Sequence, residues 1–210
     1  FPYTTLFPIS TAQNIMSNEF LFRLGFVSDL LMMVFFLLLP LVLYNLLTGV
    51  DKNLSILMVV FVMVSVPINM LNLLNEFSAF HVLSGAEYLN VLKAEQLIAQ
   101  AMFSYDTYLQ GYEIANVFFA LWLVPLGLLV TKSGFLPKVL GILLVAGGCG
   151  LLLEVFVYFL LPGYETVNTI LLIPQTISEF VFLIWTLIWG INESKVKAAN
   201  LLGSIVQAYP

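Results

Sequence analysis

The segment LSILMVVFVMVSVPINMLNLLNEFSAF, Leu54 to Phe80, decides the fold class. Wound as an α-helix it is about 40 Å long, enough to cross a hydrocarbon layer of about 30 Å. Leu, Val, Met and Phe make up most of it, but Ser65, Asn69, Asn72 and Glu76 interrupt them. At 100° per residue these four fall within roughly 60° of one another, so the segment is an apolar helix with a single polar stripe. In a bilayer such a stripe has to meet other polar groups, which requires more helices around it.

The rest of the chain supplies them. Of its 210 residues 61% are hydrophobic, 14% aromatic and only 9% charged, far below the quarter that covers a water-soluble surface. The net charge of −5 and the absence of Lys/Arg runs exclude a nucleic-acid footprint. The single cysteine, Cys149, lies in an apolar run, which excludes an intramolecular disulfide and a cysteine metal cage.

Upstream, Leu21 to Leu47 is a second spanning run, with Arg23 at its start, Asp29 within it and Pro40 as a bend. Arg23 and Asp29 are six residues apart, roughly 120° around the helix, so Arg23 is expected at the interface near Glu19 instead. The turn Gly49 to Asn53 joins the two spans. Residues 1–20 begin without Met and mix Pro, Thr, Ser and Asn, unlike a signal peptide. Their opening looks like adapter read-through at the edge of a metagenomic reading frame. We expect a non-native or external N-terminal segment and a missing first helix.

Downstream, His81 to Gln110 lacks the apolarity of a span. Ala94 to Leu109 spaces Leu97, Ala101 and Tyr105 or Tyr108 among Glu95, Gln96, Gln100 and Asp106, which predicts a short amphipathic helix outside the bilayer. His81 has no second His or Cys nearby, so no metal site is expected. The third span is Gly111 to Val130, with Glu113 and Asn116 in its first turns. The fourth, Val139 to Leu161, puts Gly147, Gly150, Glu154 and Tyr158 on one face, where a neighbouring helix, or a second copy of the chain, can approach closely. The fifth, Val167 to Ile191, puts Asn168, Gln175, Glu179 and Thr186 on another narrow face. Residues 192–210 read as a polar tail. The architecture expected is all-α, a polytopic transmembrane bundle over 21–191 with five spans visible and six in the intact protein.

If the spans alternate, Lys52, Lys132, Lys138, Lys195 and Lys197 share one side and only Arg23 and Lys93 the other. The positive-inside rule then makes the lysine side and the C-terminus cytoplasmic. Asp29, Glu76, Glu113 and Glu154 come out in the external half of the bilayer and Glu179 near its middle. Each acid costs about 2.5–3.5 kcal/mol at a helix centre, so five of them are expected to face inward, some protonated. A polar cavity open to the outside, lined by Asp29, Asn69, Asn72, Glu76, Glu113, Asn116, Glu154, Gln175 and Glu179, follows as the candidate site.

Three readings of that cavity stay open. Carboxyl groups with few internal cations suit binding or transport of a small polar or cationic ligand, alongside membrane lipid. An acid pair working on lipid would make an enzyme, but no spaced His or Cys ligands, nucleophile elbow, phosphate loop or acidic metal motif marks one, and no cofactor or catalytic residue is assigned. Third, the acids and amides serve as interhelical hydrogen-bond glue in a structural or partner-binding subunit.

An ordered set of fragments adds a resemblance. Phe22-Arg23-Leu24-Gly25-Phe26-Val27-Ser28-Asp29-Leu30, Asp51-Lys52-Asn53-Leu54, Leu83-Ser84-Gly85-Ala86-Glu87-Tyr88-Leu89, Lys132-Ser133-Gly134-Phe135-Leu136-Pro137-Lys138-Val139-Leu140-Gly141 and Leu161-Pro162-Gly163-Tyr164-Glu165 together resemble the bacterial multi-pass membrane family called domain of unknown function 4386. The resemblance runs from about Phe20 to Gly190. It implies six-helix proteins whose first helix precedes the Arg-Leu-Gly segment, and no activity or catalytic residue comes with it.

Overall fold

A computed structural model describes residues 13–85, 87–161 and 163–190 of the chain. After a helical turn at 13–17 come α1 (Glu19–Leu47), α2 (Lys52–Leu83), a 3-10 turn (Glu87–Leu89), α3 (Ala94–Ser133), α4 (Lys138–Leu160) and α5 (Glu165–Ile188), and no strand occurs among the described residues. All five long helices are long and apolar enough to cross a membrane. The protein is an all-helical membrane protein. Residues 1–12 of the expected N-terminal segment and the tail 192–210 lie outside the described residues.

The spans fall where hydropathy placed them, with one difference. Ala94–Leu109, expected as a separate surface helix, is continuous with the third span, so α3 runs for 40 residues. At 1.5 Å per residue that is about 60 Å, twice the hydrocarbon thickness, which leaves room for the amphipathic stretch to extend beyond it. Gly111 does not break the helix, since a glycine inside a helix costs only about 1 kcal/mol. Here it also has a packing role: a Cβ at Gly111 would collide with the side-chain amide of Asn72.

The described helices divide into two compact units. The first comprises residues 1–35 and 66–115, the second 36–65 and 116–210. Each has its own core.

In the first unit, aromatic rings join α1 to the end of α2. Phe22 stacks on Phe80 with ring centroids 5.0 Å apart, and Phe26 meets Phe77 at 5.0 Å. Arg23 pairs with Glu19 at 2.8 Å and lies over the Phe80 ring, 4.7 Å from its centroid, so its stem and charge are both satisfied at the helix start. Val82, Leu89 and Ala101 bury one another, with Leu83, Leu92 and Leu97 around them, and seat the connection between α2 and α3. His81 meets the Tyr88 hydroxyl at 2.9 Å in the same place.

In the second unit, Phe36, Phe119 and Trp122 form a cluster in which the Phe36 ring lies 5.3 Å from each of the other two. Small residues set the helix spacing. Gly127 of α3 and Gly141 of α4 lie against each other's backbone, and a Cβ at Gly148 would stand 2.7 Å from the Ala120 carbonyl. Gly147 and Gly150 do the same for α5, where a Cβ would meet the Ser178 hydroxyl at 2.5 Å and the Leu171 carbonyl at 2.7 Å. The glycine face expected to admit a neighbouring helix closely does so, and the neighbour is α5 of the same chain. At one end Asp51 closes the α1–α2 turn. Its carboxylate accepts the N–H of Leu54 at 3.1 Å as an N-cap and pairs with Lys132 at 3.0 Å.

Candidate functional site

Nine residues were expected to line one cavity, and they divide between the two units. Asp29, Asn69, Asn72, Glu76 and Glu113 belong to the first, and Asn116, Glu154, Gln175 and Glu179 to the second.

In the first unit the stripe on α2 turns inward, as a polar face among lipid-exposed Met70, Leu71 and Leu74 must. Asn69 and Asn72 are buried, at 8% and 6% exposure. Asn72 donates to the Tyr108 carbonyl of α3 at 2.7 Å and accepts from Asn75 at 3.1 Å, so one amide fixes α2 against α3. Gly111 provides the space that amide needs. One turn further along α2 is Glu76, whose Oε2 is buried without a hydrogen-bond partner. Asp29 of α1 is its electrostatic neighbour. Both carboxyls in turn lie within electrostatic reach of the Tyr108 hydroxyl, as do Tyr105 and Tyr112. The two acids thus fall in one electrostatic neighbourhood with Tyr108 of α3, whose ring lies 6.1 Å from that of Tyr105. Glu113 is half-buried on the same helix as the tyrosines.

The tyrosine row was missed in the sequence as part of the site. Its signal was present: Tyr105, Tyr108 and Tyr112 are spaced i, i+3, i+7 and fall within roughly 60° on a helix, the same width as the α2 stripe.

In the second unit Asn116 and Glu154 are buried, at 7% and 3% exposure. On α5, Gln175 donates to Glu179 Oε2 at 2.7 Å, and Glu179 Oε1 is buried without a hydrogen bond. Ser178, buried at 1% exposure, returns its hydroxyl to the Gln175 carbonyl. The glycine contacts make α4 and α5 antiparallel, with Gly147 level with Gln175 and Ser178, and Gly150 level with Leu171. That register brings Glu154 level with Asn168, whose Oδ1 is also buried without a partner. Trp122 adds a buried indole N–H in the same condition. A low-dielectric interior makes such polar atoms costly unless something meets them.

Among the described residues, no group of three His, Cys, Asp or Glu side chains is placed to hold a metal ion. A hollow of about 360 Å³ does open in the second unit, but its walls are Gly134, Phe135, Leu136, Pro137, Trp185, Trp189 and Gly190. None of the nine candidate residues lines it.

Against known proteins, the family described as domain of unknown function 4386 matches residues 5–190. No curated protein and no solved structure matches the chain.

Proposed function

The chain belongs to the family of domain of unknown function 4386, and on that premise we propose that it binds a small cationic or polar ligand through its inward-facing acids, as a receptor or transporter open to the external side. One observation carries the reading. Glu76 Oε2 is buried without a donor, with Asp29 and Tyr108 as its electrostatic neighbours. Two carboxyls from different helices with tyrosines in their electrostatic neighbourhood make a setting that a small cation would satisfy, through charge at the acids. Glu179 in the second unit, also with one unpartnered oxygen, is a second place where such a ligand would be held. The external opening rests on the positive-inside rule, under which the side that carries Lys52, Lys132 and Lys138 would be cytoplasmic.

The test is thermal melting of the full chain in detergent, for the wild type, Glu76→Gln and Glu179→Gln, against a panel of alkali, alkaline-earth and organic ammonium cations. A ligand at 100 times its dissociation constant stabilises the folded state by about 2.7 kcal/mol, an easily read shift. A cation that raises the melting temperature of the wild type and leaves Glu76→Gln unmoved supports binding. If the wild type and both variants respond alike to every cation, the proposal fails.

A second reading has its own support. The Asn72 bond to the Tyr108 carbonyl and the Gln175–Glu179 bond are interactions that hold or shape helices with no ligand present. Under that reading the acids and amides are structural glue, each bond contributing about 0.6 kcal/mol, and the Gln variants melt like the wild type.

A further inference from the structure

The hollow beside Trp185 and Trp189 lies outside the acidic residues and needs a separate account. It sits where α3 ends, α4 begins and α5 ends. Three span ends meet there, which places it at the level of the membrane–water boundary. Its floor is apolar, since Phe135 and Leu136 are buried. One wall is an indole pair, Trp185 stacked on Trp189 with centroids 4.6 Å apart and planes 19° from parallel. Trp189 is 62% exposed. Gly134 and Gly190 complete the rim at φ 70° and 64°, left-handed turns that favour glycine and keep side chains out of the opening.

Charge at this rim is positive. Lys138 is the first residue of α4, next to Pro137 in the wall, and forms no ion pair among the described residues. Lys132, two residues before Gly134, is held by Asp51 at 3.0 Å. Among the described residues, no acidic side chain lines the hollow. Beside it the exposed Val139, Leu187 and Ile188 continue as apolar surface toward the hydrocarbon.

A recess walled by indoles, with an available ammonium near its rim and exposed apolar side chains beside it, matches one kind of molecule: an amphiphile whose negative charge sits at the interface and whose tails enter the bilayer. At about 360 Å³ the recess falls in the range of small-molecule pockets. We propose that the hollow formed by the loop before α4 and the tryptophans ending α5 binds the headgroup of an anionic phospholipid, with Lys138 facing its phosphate. The acids of the candidate site play no part in this, so the two proposals stand or fall separately.

Tryptophan fluorescence tests it directly. The full chain is reconstituted into vesicles of phosphatidylcholine containing a fixed fraction of phosphatidylglycerol, with the bromine quencher placed on the tails of one lipid or the other. Trp122 is buried against Phe36 and Phe119, so the indoles open to lipid are Trp185 and Trp189. Brominated phosphatidylglycerol is expected to quench with an apparent preference of about fivefold over brominated phosphatidylcholine, the equivalent of ~1 kcal/mol for one lysine near the surface. Lys138→Gln should reduce the preference to about one, Lys138→Arg should keep it, and a Trp185→Phe/Trp189→Phe double variant should lose the preferential quenching. Equal quenching by both lipids in the wild type overturns the proposal, as does an unchanged preference in Lys138→Gln. Soluble glycerol phosphate at millimolar concentration should not displace the lipid. If it does, the recess is a site for a free phosphate and the lipid assignment is wrong.

Discussion

Replacing Gly141 by Ala tests whether glycine spacing holds α3 and α4 together. An added Cβ at Gly141 would lie against the Gly127 carbonyl oxygen, 2.5 Å from Thr131 Cγ2 and 2.8 Å from the Thr131 backbone nitrogen. The reciprocal Cβ at Gly127 would stand 2.5 Å from the Gly141 carbonyl and 2.9 Å from the Val145 nitrogen. Ordinary contact for a Cβ starts near 3.4 Å, and backbone atoms cannot rotate away. The helices must therefore part by ~1 Å along this line, and a gap of that size forfeits a quarter to a half of each dispersion well it opens. Overpacking of this kind costs about 1–3 kcal/mol, and the better helix propensity of Ala returns about 1 kcal/mol, so the net loss is about 0–2 kcal/mol, against a gain of about 1 kcal/mol where no clash opposes it. Gly25 of α1 is the control, because a Cβ there meets nothing within 4 Å and only the propensity gain remains. Unfolding in mixed micelles, followed by circular dichroism, reads both. Gly141→Ala should unfold at lower denaturant and Gly25→Ala at equal or higher denaturant. Adding Gly127→Ala to Gly141→Ala should cost less than the sum of the single changes, because the same separation accommodates both methyls. A Gly141→Ala protein as stable as Gly25→Ala would show that the glycines do not set the spacing.

Three further outcomes follow from particular contacts. Lys132 beside Asp51, reinforced by the Leu54 N–H, holds the Asp51 carboxyl below the usual carboxylate range. The folded-state value is the lower one, so this pair stabilises the fold above the ordinary carboxylate range and loses that contribution as pH falls through the folded value. Because Lys132 is exposed, the gap between wild type and Asp51→Asn should be ~0.2–1 kcal/mol at pH 7 and should narrow as pH falls through the lowered folded value; a gap that stays constant down the acid titration contradicts the pairing. Gly111→Ala should destabilise by about 1 kcal/mol through its clash with Asn72, whereas in an Asn72→Ala background, already weakened by the lost bond to Tyr108, adding Gly111→Ala should cost little more in the same micelle titration. Tyr88→Phe removes the hydroxyl that meets His81 at 2.9 Å on an exposed surface, so hydrogen exchange at the α2–α3 connection should rise while global stability moves by less than ~0.5 kcal/mol.

How much of this could be read in the sequence depends on the distance over which each signal acts. Five spans were legible because hydropathy over about 20 residues is a local property, and the inward turn of Asn69 and Asn72 was legible because a helix fixes the angle between them. Arg23 at Glu19 was legible for the same reason, as two residues one turn apart. The continuity of α3 through Gly111 was not, since a glycine next to a polar stretch reads as a stop, and the Asn72 amide seated against it, far away in sequence, is what calls for a glycine there.

The candidate site shows the same boundary more sharply. That acids and amides would face inward followed from the cost of facing lipid, but which acid meets which partner is a matter of register between helices far apart in sequence. Helical geometry gives the direction of Glu76 around α2 and of Tyr108 around α3, yet nothing local to either gives their relative height, which the Asn72 bond to the Tyr108 carbonyl fixes. Gly147 and Gly150 repeat the point. Their shared face announced a close helix neighbour, but a glycine stripe accepts any backbone that fits, and α5, tethered by a connection of four residues between Leu160 and Glu165, reaches it at far higher effective concentration than a second chain could.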